Sequence, residues 1–247
     1  MMLKKITFLF VFAVTVISCK KQIVDANTIV NKSIEVSGGT LFNTSTIAFN
    51  FRDKHYLAKR KYGKFSLERL FVKENDSILD RLSNNGFKRY VNAVPIPLAD
   101  SIALKYSASV NSVHYFSVLP FGLNDKAVNK QYLEQVELKG IDYYKIKVTF
   151  NKNGGGEDFE DVFIYWINKN TFKVDYLAYS YSEANGKGLR FRKAYNERFV
   201  NGIRFVDYDN YKPTTENASV ENLDVLFQND KLKLLSKIEL KNITIAL

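Results

Sequence analysis

The sequence has one cysteine, one tryptophan, two histidines and four prolines among 247 residues. The single cysteine, Cys19, allows no internal disulfide. His55 and His114, with no set of cysteines to join them, cannot form a conventional zinc site unless carboxylates supply the remaining ligands. With 46% hydrophobic residues and so little proline, no stretch has the composition of a disordered segment. There is no Gly-x-Ser-x-Gly elbow, which argues against a serine hydrolase of that type. A Schiff-base enzyme needs a buried lysine, and the lysines here alternate outward on strand-like runs. Gly154-Gly155-Gly156 precedes Glu157, Asp158, Glu160 and Asp161 rather than a Lys-Ser/Thr pair, so the loop would repel phosphate. The same acids do not follow EF-hand spacing. No metal and no cofactor are expected.

What is abundant is alternation. In the run 142–150, Tyr144, Ile146, Val148 and Phe150 share one face, while Tyr143, Lys145, Lys147 and Thr149 share the other. This period of two marks a strand with one buried and one wet face. Val162, Ile164 and Trp166 repeat it, as do Phe172, Val174, Tyr176 and Ala178, and the runs 189–200 and 203–211 follow. Asn201-Gly202 is the pair that a two-residue type I′ hairpin turn favours. Connections this short exclude parallel crossovers, so 142–211 is expected to be an antiparallel meander.

The chain opens with Lys4-Lys5, an apolar run over 6–17, then Ser18 and Cys19. A basic start, a short apolar core and a small residue describe a secretory signal that is too short to span a bilayer comfortably. Val16-Ile17-Ser18-Cys19 resembles the lipobox of bacterial lipoproteins. That resemblance implies cleavage after residue 18, acylation of Cys19 and a tether over 19–24, and the length and hydrophobic content suit a single domain over 25–247. Several acyl chains anchor far more firmly than one, at about 0.8 kcal/mol for each buried CH2. Lys20-Lys21-Gln22 lacks the acidic run that resembles surface-export signals of Bacteroidota lipoproteins. The expected address is therefore the periplasmic face of the outer membrane, with surface exposure as the alternative. The net charge of +10, or +8 without Lys4 and Lys5, suits anionic headgroups as well as solvated strand faces. The export signal argues against a nucleic-acid partner.

Residues 25–36 read as a helix capped by Asp25 and ended by Gly38-Gly39. A first meander follows over 44–52, 55–62, 65–73, 77–82 and 87–92, independent of the later one. Pro95 and Pro97 break it. Ile102, Ala103, Tyr106, Val110 and Val113 then recur at helical spacing over about 98–116. The run 130–139 enters the second meander, 214–228 has no clear pattern, and 233–245 reads as one closing strand.

Two meanders with a leading and a mid-chain helix resemble the fold of the outer-membrane lipoprotein carrier and its lipoprotein receptor. That resemblance implies a mainly β (α+β) protein. In it a strongly curved antiparallel sheet forms an open half-barrel, and both helices cover its concave face. More closely, Val113-His114-Tyr115-Phe116 and Leu119-Pro120-Phe121-Gly122-Leu123-Asn124-Asp125 resemble a domain family of unknown function found in Bacteroidota lipoproteins. Gly154-Gly155-Gly156, Tyr165-Trp166 and Asp175-Tyr176-Leu177-Ala178-Tyr179 do so too. The resemblance covers most of the chain after the signal and implies no activity.

The leading expectation is a non-catalytic, membrane-anchored protein that binds a lipid, an acyl chain or another amphipathic molecule between sheet and helices. Tyr115, Trp166 and Tyr179 are its candidate aromatic contacts, His114 a polar anchor, and Arg190 and Arg192 the partners of an anionic headgroup. Parity places Tyr165 and Trp166 on opposite faces. One alternative is an enzyme of unstated reaction in which His114 acts as a base with Asp158 or Asp161. Another is a structural or assembly lipoprotein filled by its own side chains. Ser77 and Ser101 sit in Asp-Ser-Ile triplets that resemble Bacteroidota O-glycosylation sites, although Asp100 equally suits helix capping.

Overall fold

The computed structural model describes residues 25–156, 159–183 and 186–247. Cys19 and Asp158 lie outside them. The first helix, α1 (Ala26–Val36), begins where the Asp25 carboxylate accepts from the backbone N–H groups of Asn27 and Thr28 at 3.3 and 2.9 Å. These are donors that the helix itself cannot satisfy. Strands β1 (Thr46–Phe51), β2 (Lys54–Lys61), β3 (Lys64–Lys73), β4 (Asp76–Ser83), β5 (Gly86–Val91) and β6 (Val94–Ile96) then form a meander. Helix α2 (Asp100–Ser117) separates it from β7 (Val128–Leu138), β8 (Ile141–Phe150), β9 (Phe163–Asn168), β10 (Val174–Glu183), β11 (Gly186–Val200) and β12 (Ile203–Pro213). A short helix, α3 (Leu223–Gln228), precedes β13 (Leu232–Ile238) and β14 (Lys241–Ala246).

Among the described residues the strands form two seven-stranded antiparallel sheets, ordered β14-β1-β2-β3-β4-β5-β6 and β13-β12-β11-β10-β9-β8-β7. The fold is thus mainly β, antiparallel and open rather than a closed barrel. Three details differ from the sequence reading. The run 233–245 is two strands, and β14 crosses to pair with β1, with Ile245 opposite Ile47, so the chain's end completes the first sheet. The two meanders are therefore not independent. Pro95 does not end the first sheet either. It sits in β6, an edge strand, where a missing N–H costs no ladder bond. Where the sheets meet, Ile47 and Phe49 of the first pack with Ile203 and Phe205 of the second. Beside them Arg198 Nη2 donates to Asp207 Oδ1 and to the Leu240 carbonyl, while Leu240 N–H donates to Asp207. At the β11–β12 turn Asn201 and Gly202 take φ of 44° and 82°, the left-handed pair that a type I′ turn requires.

The second sheet is buried on both faces at its centre. Inside, Ile146, Val148, Tyr165 and Leu177 meet Ile29 and Val30 of α1. Outside, Trp166, Tyr143, Tyr176 and Phe191 pack with Leu223 of α3. The β8 face expected to be wet is covered there, because α3 folds over it. Lys145 is 4% exposed and pairs with Asp224 at 2.9 Å, while Trp166 Nε1 donates to the same carboxylate at 3.1 Å. The expectation that every lysine points to solvent fails at this residue.

Helix α2 lies over the first sheet. Val110 packs with Ala58 and Leu67, and Ser109 accepts from Arg69 at 2.7 Å. Arg69 and Arg89 both bond the fully buried Asp80. Val110 and His114 are nonetheless the helix's only fully buried side chains. Leu104 is 49% exposed. The helix has an apolar face that the sheets do not fill.

Candidate ligand cavity

That gap is a cavity of about 910 Å3. Leu104, Ser107, Ala108 and Asn111 of α2 roof one part, and Phe51 and Leu82 of the first sheet wall it. Its floor is aromatic and meets the helix there: Phe163 of β9 stacks on Tyr179 of β10 at 5.4 Å between centroids, and Phe116 of α2 comes down to 5.1 Å from Tyr179 and 5.9 Å from Phe163. Register explains the grouping, since Tyr179 pairs with Phe163 on β9, and period two brings Leu177 and Tyr165 to the same side. Gly155, Gly156 and Asp161, from the connection between β8 and β9, also reach the lining. The volume falls in the upper part of the range of small-molecule sites.

Arg192 is the basic side chain of this lining and is 8% exposed. Its guanidinium carbon stands 3.9 Å above the Phe116 ring and 5.0 Å from that of Tyr179. Nη2 donates to the Tyr179 hydroxyl at 2.9 Å, and Nε has no partner. Deeper, the hydroxyls of Tyr115 and Tyr165 meet at 3.0 Å. Burial pushes both phenols above the ordinary tyrosine range.

The sequence candidates separate on this geometry. Tyr115, Tyr179, Arg192 and Asp161 share the lining. Arg190 lies beside it, stacked on Tyr181 at 4.9 Å and donating to the Leu189 carbonyl. Trp166 faces the opposite side of the sheet, in the outer core against α3. His114 packs into the first sheet, edge-on to Phe49 and Tyr56, with Nε2–H donating to the Glu68 carbonyl at 3.0 Å and Nδ1 unpartnered. Burial pulls its pKa down to about 4, so it is neutral at physiological pH. It is not part of the lining that Asp161 joins, so a base acting with that carboxylate finds no geometric support. Phe163, Val206 and Tyr208 are lining residues that the sequence reading passed over. Phe163 lies opposite Tyr179 in the β9–β10 register, so cross-strand parity from Tyr179 is the signal that could have found it.

An open antiparallel β protein with helices on its sheets and an aromatic-floored cavity is the class that fold and site define. The chain belongs to the family of unknown function DUF6503, whose sequence profile matches residues 4–240. No curated protein matches the sequence. Among solved structures the chain is similar to the LolA superfamily protein NE2245 from Nitrosomonas europaea, at TM-score 0.48 and 12% identity, covering 90% of this chain and 92% of that one. It is also similar to a DUF1329 family protein from Desulfovibrio piger, at TM-score 0.42 and 10% identity, covering 88% and 92%. The lipoprotein LppX of Mycobacterium tuberculosis aligns at TM-score 0.28 and 12% identity, covering 65% and 88%.

Proposed function

We propose that this protein is an envelope lipoprotein that holds a lipid, an acyl chain or another amphipathic molecule in the cavity under α2, without catalysing a reaction. The observation that carries the reading is the cavity itself: about 910 Å3, floored by Phe163 and Tyr179, under a helix that adds Phe116 to the lining and whose Leu104 is left half exposed. An apolar wall of this size exposed to water forgoes about 25 cal/mol for each Å2, which an acyl chain entering it would recover. Binding of that kind needs a dry concave surface and no catalytic group. The signal over 1–18 and Cys19 support a lipid anchor at residues 19–24, a domain over 25–247, and the periplasmic face of the outer membrane as the place of work.

Native mass spectrometry of the full chain, purified from its own membrane in a mild detergent, tests the reading. Copurified lipid that dissociates in the gas phase is the expected result. A bare protein mass from every preparation, with no uptake of added lipid, would reject it.

A further inference from the structure

Among the described residues three arginines are buried, and they are not treated alike. Arg69 bonds Asp80 at 2.7 Å. Arg204 pairs with Glu197 and lies 3.9 Å from Asp175. Among the described residues Arg192 has no carboxylate partner. Removing a guanidinium from water is costly unless a counter-charge and hydrogen bonds replace its hydration. Stacking on Phe116 and Tyr179 offsets part of that cost, but it leaves Nε–H without an acceptor. The Tyr179 hydroxyl accepts from Arg192, so its own proton is left to donate elsewhere. A buried cation with an unfilled donor, beside a hydroxyl free to donate, on the aromatic wall of this cavity, is an anion site awaiting its anion.

Resting on the lipid-binding reading above, we infer that Arg192 and Tyr179 receive the headgroup of a long-chain carboxylate, whose acyl tail lies along the aromatic floor. The charge count favours a monoanion. Among the described residues Arg192 is the one basic residue of the lining and offers a single positive charge, so a carboxylate is matched one to one while a phosphate dianion would keep an uncompensated charge. A carboxylate is also small and planar, matching the guanidinium fork. The phosphodiester of a phospholipid carries the same single charge with bulk on both sides, and it is the rival that the test includes.

The test is a competition. The full chain is incubated with equal amounts of palmitate, hexadecanol and dipalmitoyl phosphatidylglycerol, unbound lipid is removed, and the bound lipids are quantified by mass spectrometry. Palmitate is expected to exceed hexadecanol by about tenfold or more, the gain of one charge-assisted hydrogen bond. In Arg192→Gln that ratio falls to near one, and in Tyr179→Phe it falls part of the way, with circular dichroism confirming that both variants fold. Equal binding of palmitate and hexadecanol by the wild type, or a ratio unchanged in Arg192→Gln, overturns the anion site while leaving the lipid cavity intact. Phosphatidylglycerol outcompeting palmitate overturns the carboxylate assignment. Binding of none of the three overturns the cavity reading as well.

Discussion

The hydroxyls of Tyr115, on the covering helix α2, and Tyr165, at the centre of the second sheet, lie 3.0 Å apart in the inner core. This bond ties the helix to the sheet beside the cavity rather than across it. Losing one partner strands the other, and a stranded buried hydroxyl costs more than the bond itself contributes. Tyr115→Phe is therefore predicted to lower stability by about 1–3 kcal/mol. Tyr115→Phe with Tyr165→Phe should cost less than the sum of the two single changes. Denaturant melts of the four proteins in the cycle give the answer.

His114 predicts a pH dependence. Its folded pKa of about 4 lies below the ordinary 6.5, so between those values the unfolded chain binds a proton that the folded one refuses. Stability is complete above pH 6.5 and declines as the pH falls toward 4, by on the order of 3 kcal/mol. His114→Gln keeps a donor for the Glu68 carbonyl but does not titrate, and it should flatten that slope. Urea melts between pH 4 and 7 read it directly.

Lys145 and Asp224 predict a strong asymmetry. Asp224→Ala leaves the buried Lys145 ammonium with only the exposed Glu134 carboxylate at 3.4 Å and takes the acceptor from Trp166 Nε1, for an expected loss of about 3 kcal/mol. Lys145→Met with Asp224→Leu removes both charges and should regain most of that loss. Thermal unfolding, monitored through the single tryptophan, reports on α3 at the same time.

Cys19→Ser is predicted to abolish incorporation of labelled palmitate in cells and to release the protein from the membrane fraction. Labelling that persists in the variant would contradict acylation at this residue.

Much of the architecture was legible because period-two alternation and Asn-Gly turns are local. The strands of 142–211 and the Asp25 cap came from neighbours in sequence. What was not legible depends on partners far along the chain. Nothing in Lys241–Ala246 announces that it pairs with β1, and Lys145 reads as a solvent residue until α3, some eighty positions later, supplies Asp224. The site divided the same way. Parity correctly set Tyr165 against Trp166, but which face was the concave one depended on where α1 and α2 landed. Trp166 thus went to the outer core and His114 into the first sheet. Arg192 was visible as a basic strand residue, while its missing counter-ion was visible only in three dimensions.

The central claim is that lipid occupies the space under α2, and filling that space tests it most directly. Ala108 lines the roof away from the aromatic floor, so Ala108→Trp places an indole where the tail would lie. Native mass spectra of wild type and variant, prepared side by side, should show lipid adducts on the first and none on the second, with the same circular dichroism spectrum for both. Adducts of equal abundance on the two proteins would contradict the account.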